Sequence, residues 1–337
     1  MRFATTTLMM ILSVSSALAA GPKASSCLLE PDAKDCLASV AKATLASEKS
    51  PESRAEGYSS LVSSLAKAGV RRDDIFSAAT DDGIAPVYPR WSLAVARRTY
   101  ALHFGIGDAF VNSPQRIEAL ADLLRVRGGG LERLMIAWAA CEAREGEAPA
   151  VLAKWEGLLD RLCRLDDSDT DALEKEFPGL SALAAPVIDA YNRDNDALGR
   201  SIAVSLGVLT EYEKALDRNI PAAEREAILG VLAIGHLFNA TALATSGHGG
   251  EAAKAIGKAL RYIAKVPTIR KTPEFQMALT QASWIYAKAG MRDESLRAVR
   301  ESLARGDSGK ISSGGDRATA LATAIETLWV LESTARH

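Results

Sequence analysis

Histidine and cysteine are scarce in this chain, with four of each, and neither is arranged to hold a metal. His103, His236, His248 and His337 include no His-Glu-x-x-His pair, and no Cys-x-x-Cys occurs. A dedicated zinc site therefore has no support, and no cofactor is expected. The Gly-x-Ser-x-Gly elbow of many serine hydrolases is also missing. Gly306-Asp307-Ser308-Gly309-Lys310 has the wrong spacing for a phosphate loop and no strand before it. Asp167-x-Asp169-x-Asp171 opens like a calcium loop, but Ala172 and Pro178 stand where the turn Gly and the closing Glu belong. Aromatic residues are only 6% of the chain, which argues against a sugar-stacking cleft. Val, Ile, Thr and Tyr never gather into alternating runs, so a sheet has little support. An excess of either charge is lacking too: 40 basic residues against 42 acidic give a net charge of −2. Without a basic stripe to track phosphates, nucleic-acid binding is not expected. Beyond the N-terminus no segment reads as long and apolar enough to cross a bilayer.

What the chain has is alanine, the best helix former, in a composition of 48% hydrophobic and 24% charged residues that belongs to folded globular proteins. Its 337 residues suffice for one large domain or two ordinary ones. At the N-terminus Arg2 precedes an uncharged stretch centred on Leu8-Met9-Met10-Ile11-Leu12 and closed by Ala17-Leu18-Ala19. A basic start, an apolar middle and small residues at the cut read as a signal peptide over 1–20. Its style places the mature protein in a bacterial periplasm. Export permits disulfides. Cys27 and Cys36 flank Pro31 closely enough to bridge, for roughly 2.5 kcal/mol by chain entropy. Cys141 and Cys163 fall on neighbouring helices at different heights and are expected not to pair with each other.

Helix punctuation recurs. Ser50-Pro51-Glu52, Ser113-Pro114-Gln115 and Thr272-Pro273-Glu274 each set a capping hydroxyl before a Pro at the first helical position. Gly69, Gly105, Gly146, Gly247 and Gly290 stand where helices stop. Between these marks the apolar period is helical: Phe275, Leu279, Ala282, Ile285, Tyr286 and Ala289 recur at three and four, as do Ala55, Tyr58, Val62 and Leu65. The pattern predicts helices over 32–48, 51–68, 72–80, 90–104, 114–126, 131–145, 149–163, 169–176, 180–217 with a break near Pro186 and Asn192–Asn195, 221–245, 250–265, 273–289, 292–304 and 316–335. Short connections make antiparallel neighbours, so the expected fold is all-α, built of stacked antiparallel helix hairpins. The chain also resembles itself: Leu65–Asp74 matches Tyr286–Glu294 in type and order, and Leu243–Ala252 is a looser copy.

Gly247, Ala252, Ile256 and Lys258-Ala259-Leu260 occupy the places of the turn and second helix of a tetratricopeptide repeat, and Tyr286, Gly290 and Val299 continue the pattern in the next pair. Residues 221–304 thus resemble that family, and 51–80 do so faintly. Gly247 and Gly290 stand further apart than the family's period, Ser295 replaces its small Ala, and its Trp and Pro are missing.

The expected organisation is a signal peptide over 1–20, a hairpin region over 21–165, an irregular helical linker over 166–220, and a repeat-like region over 221–337 whose last helix caps the stack. The resemblance implies an α-solenoid whose concave groove binds a partner protein or peptide of the envelope without catalysis. Its groove-facing positions map to Ser59, Ser63, Lys67, Thr241, Thr245, Thr280, Trp284 and Lys288, with the two lysines placed to grip a carboxylate. The alternative is an all-α periplasmic enzyme, a helical toroid with an acidic cleft.

Overall fold

The computed structural model describes residues 23–80, 87–106, 167–176, 179–266, 273–308 and 313–335. Among them every element is helical and there is no strand. A 3-10 helix, Ala24–Leu29, leads into α1 (Ala33–Ser47), α2 (Pro51–Lys67), α3 (Asp73–Ala78) and α4 (Val87–His103). After residues outside this description come α5 (Asp167–Glu176), α6 (Leu180–Tyr191), α7 (Asn195–Leu216), α8 (Ala222–Thr245), α9 (Gly249–Ala264), α10 (Pro273–Lys288), α11 (Arg292–Asp307) and α12 (Gly314–Thr334). The signal peptide, the helices expected over 114–163, and Cys141 and Cys163 lie outside the described residues.

The starts and stops follow the sequence chemistry. Ser50 Oγ accepts from Ser53 N at 3.2 Å ahead of Pro51. Gly69, Gly105, Gly247 and Gly290 all take positive φ. In each case the next residue's N–H reaches back to the last turn: Val70 to Leu65 O, Ile106 to Ala101 O, His248 to Leu243 O and Met291 to Tyr286 O, at 2.8–2.9 Å. This left-handed cap satisfies carbonyls that a helix end would leave orphaned, and it turns the chain sharply. The long helix expected over 180–217 breaks at Asn192–Asp194, where Arg193 takes φ 56°. Pro186 does not break it and sits inside α6. Residues 167–176 and 179–216 thus carry three regular helices, and Asp167–Asp171 form the start of the first.

Packing departs from chain order in one place. Helices α8 and α9 form a hairpin, α10 and α11 another, α10 packs on α9, and α6 packs on both α7 and α8. The last helix, expected to cap the end of the stack, instead packs on α10 and also on α1 and α2, while α4 packs on α2. The neighbours run α4, α2, α12, α10, α8, α6, so the C-terminal helix lies inside the array. One core accordingly combines Leu37, Leu45, Leu61, Leu65 and Tyr100 with Val299, Leu303, Leu321 and Ile325.

The seam is polar at both ends. Lys34 meets Glu332 at 2.6 Å. Glu48 accepts from Gly314 N at 2.5 Å. Asp307 accepts from the backbone N–H groups of Ala24 and Ser25 at 2.8 and 2.9 Å and from Arg317 at 3.1 Å. The Cys27–Cys36 disulfide then fixes the leading 3-10 helix to α1. Helix α8, with 24 residues, contains an 18-residue window of mean hydropathy 1.8 and is long and apolar enough to cross a membrane by length and composition, contrary to the expectation from the sequence. That window is 67% buried within the fold, and the burial accounts for its apolarity.

Candidate functional site

The eight expected groove residues do not share one open surface. Ser59 is buried and its hydroxyl lies 2.6 Å from Ser92 Oγ. Thr241 is buried, bonded to Leu237 O at 3.0 Å. Thr280 is buried against Gln276 O and Ser302 Oγ, at 2.8 and 2.7 Å. Ser63 and Thr245 are half-buried, and Thr245 Oγ1 has no hydrogen-bond partner. Thr241 and Thr280 each bond a carbonyl of their own preceding turn, which offsets the cost of burying the hydroxyl.

Lys67, Trp284 and Lys288 do come together, around a residue the sequence did not single out. Glu326 of α12, only 15% exposed, takes Lys67 Nζ at 3.3 Å and Trp284 Nε1 at 3.1 Å. Lys288 Nζ lies 5.5 Å from the Trp284 ring centroid, within cation–π range. The carboxylate that the lysines were expected to grip is thus supplied in part by the protein itself. This cluster ties α2, α10 and α12 together.

An open cleft of 690 Å³ lies elsewhere, at the C-terminal ends of α7 and α9 and the N-terminal half of α8, lined by Thr210, Glu213, Lys214, Asp217, Arg225, Leu229, Tyr262 and Lys265 among others. Amphipathic α9 buries Ala252, Ile256, Ala259 and Ile263, and this register turns Tyr262 toward α7. Its hydroxyl donates to Glu213 Oε1 at 2.6 Å. That bond holds the Glu213 carboxyl below the usual carboxylate range. Burial, reinforced by the same carboxylate, pushes the Tyr262 hydroxyl up to about 12. Behind the tyrosine lies His236, 2% exposed, its ring parallel to that of Tyr262 with centroids 5.7 Å apart. His236 Nε2 stands 3.8 Å from Glu213 and has no hydrogen-bond partner. Burial, helped by the positive charge of Lys258, lowers its pKa to about 4 against the opposing pull of Glu213. At neutral pH the imidazole is therefore uncharged.

The cations on the rim are held differently. Arg225 donates to Leu216 O at 3.1 Å and closes the end of α7. Lys214 pairs with Glu211 at 2.7 Å on the surface, and Lys265 lies 5.4 Å from the Tyr262 ring centroid. Together they give the cleft an aromatic wall with charges of both signs around it. Glu213 and Tyr262 stand 49 residues apart in the chain, and no local pattern joins them. Among the described residues, no group of three or more His, Cys, Asp or Glu side chains is placed to hold a metal ion. No protein-family model matches this chain, and neither the curated proteins nor the solved structures include a match.

Proposed function

We propose that the protein is an exported, non-catalytic scaffold of the periplasm that holds an extended segment of an envelope protein in the cleft between α7, α8 and α9. In this reading the hairpins form a tetratricopeptide-like solenoid, and the binding surface is the cleft rather than the line of residues mapped from the repeat. The observation that carries it is the composition of that cleft: one fixed tyrosine face, an apolar floor at Leu229, and the charged groups Lys214, Asp217, Arg225 and Lys265 on the rim. Such a surface suits a peptide carrying an apolar or aromatic residue next to an acidic one, with the ring as anchor and the rim setting orientation. Export is supported by the Cys27–Cys36 disulfide, since oxidising compartments preserve such bonds.

The enzymic alternative asks Glu213 to trade protons. Its carboxyl already accepts the Tyr262 hydroxyl and is held ionised, which suits a fixed structural acceptor better than a general acid. The test is a peptide array probed with the purified protein, followed by affinity measurements on the best sequences. Tyr262→Ala and Lys265→Glu should each weaken binding by about tenfold or more, the usual weight of an anchor or a central charge. Equal affinity in both variants, or turnover of a bound peptide, would reject the reading.

A further inference from the structure

The middle of the exposed side of α7 is apolar, with charged residues towards its ends. Val204 is 57% exposed and Leu206 43%. Gly199, Ala203 and Gly207 are exposed on the same side, while Leu198, Ser205 and Leu209 point into the fold. A Cβ at Gly199 or Gly207 would meet no atom within 4 Å. Exposed apolar surface of this kind marks interaction sites, and small side chains at helical spacing let a second helix come close.

The charges around this face select the occupant. Counting outward from Ser205, Ala203 balances Gly207, Gly199 balances Glu211, and Asp196 balances Lys214. An α7 lying antiparallel on its own copy would set Asp196 beside Lys214 of the other chain and Glu211 beside Gly199, one residue along the helix from Arg200. Symmetry then makes each pair twice. The four charged residues are exposed. A parallel arrangement would face each charge with its own kind. A two-fold interface requires such self-complementarity, in which residue i meets j and j meets i. The Lys214–Glu211 pair is exposed on both sides, so exchanging it for a contact between chains costs little.

We propose that α7 is the contact helix of a two-fold homodimer, crossing its copy antiparallel at Ala203 and Gly207. The arrangement does not depend on the cleft having a ligand. It does bring the other chain's Asp196 to Lys214, on the rim of each cleft.

Sedimentation of the purified protein over a concentration series tests this. The wild type should show a monomer–dimer equilibrium, and Ala203→Glu, which sets acids together at the crossing, should leave only monomer. Arg200→Glu and Glu211→Arg should each raise the dimer Kd by about tenfold or more through like-charge contacts. The double variant R200E/E211R should restore the wild-type value, because it re-forms the pair with its signs reversed. These positions are exposed, so unchanged thermal unfolding serves as the folding control. A wild type that stays monomeric at every concentration would overturn the proposal, as would a dimer indifferent to Ala203→Glu, which must use another face.

Discussion

His236 is a polar ring that the fold keeps uncharged. It lies behind Tyr262, 3.8 Å from a carboxylate and without a hydrogen bond at Nε2. Its folded pKa of about 4 lies below the ordinary histidine value of 6.5. In the unfolded chain the ring takes up a proton as pH falls below 6.5, while in the folded chain it does so only near 4. The unfolded state thus binds more protons across that window, and stability falls as pH drops through it. The loss is about 3 kcal/mol at most, from the size of the displacement. Urea denaturation of wild type and His236→Gln at pH 7 and pH 5 checks the sign: the wild type should lose stability between the two, and the variant should lose clearly less. Glu326 makes a second case. Glu326→Ala takes away the acceptor of Trp284 Nε1 and the carboxylate 3.3 Å from Lys67 Nζ. It should lower stability by roughly 1–3 kcal/mol, the cost of a half-buried donor left without its acceptor. The resemblance mapped Lys67, Trp284 and Lys288 as groove positions, with each lysine two residues before a turn glycine. Glu326 was not legible, because it lies 259 residues from Lys67 and only the packing of α12 brings it there.

At the scale of elements, helix limits were written in the sequence far more plainly than helix neighbours. Gly69, Gly247 and Gly290 ended helices as their left-handed caps require, and Ser50-Pro51 began one. Between Gly306 and Gly315, α11 runs on to Asp307 and α12 begins at Gly314. Gly315 belongs there because α12 closes on α2: a Cβ at that position would collide with the Ser53 carbonyl. Gly57, opposite, would put its Cβ against Leu45 and 3.1 Å from Gly315 Cα. A glycine kept for backbone approach and one kept for a turn have the same letter, and only the neighbour tells them apart. Alanine substitution separates the two roles by thermal melting. Gly315→Ala must move backbone and should cost at least 1–3 kcal/mol, as overpacking does. Gly230→Ala in α8 meets nothing within 4 Å and should stabilise by about 0.5–1 kcal/mol, through the lower entropy of the unfolded chain.

For the whole molecule, the decisive helix is the last one. Self-similarity between residues 65–74 and 286–294 suggests an array of helix pairs, and a chain-order stack would leave α12 at its edge. Instead α12 stands between α10 and the pair α1–α2, burying Ala318, Leu321, Ala322 and Ile325 in the core that also holds Leu37, Leu61 and Leu65. A sequence records that a helix has a broad apolar face; it does not record which distant helix covers it, since any amphipathic partner of like width serves. The consequence is that α1 and α2 share one core with the last helix. A chain ending at residue 308 loses a single helix of 21 residues, yet it uncovers one side of α1, α2 and α10 together. Its backbone amides in α1 and α2 should then exchange with solvent far faster than in the full chain, and its unfolding should lose cooperativity. Hydrogen exchange resolved by peptide measures this directly. If α1 and α2 keep their protection without α12, the N-terminal helices fold alone, and the closed order α4, α2, α12, α10 is not what stabilises them. Loss confined to α10 would point the same way. Loss across α1, α2 and α10 at once is the result that the shared core demands, because removing α12 exposes the same apolar surface on both sides.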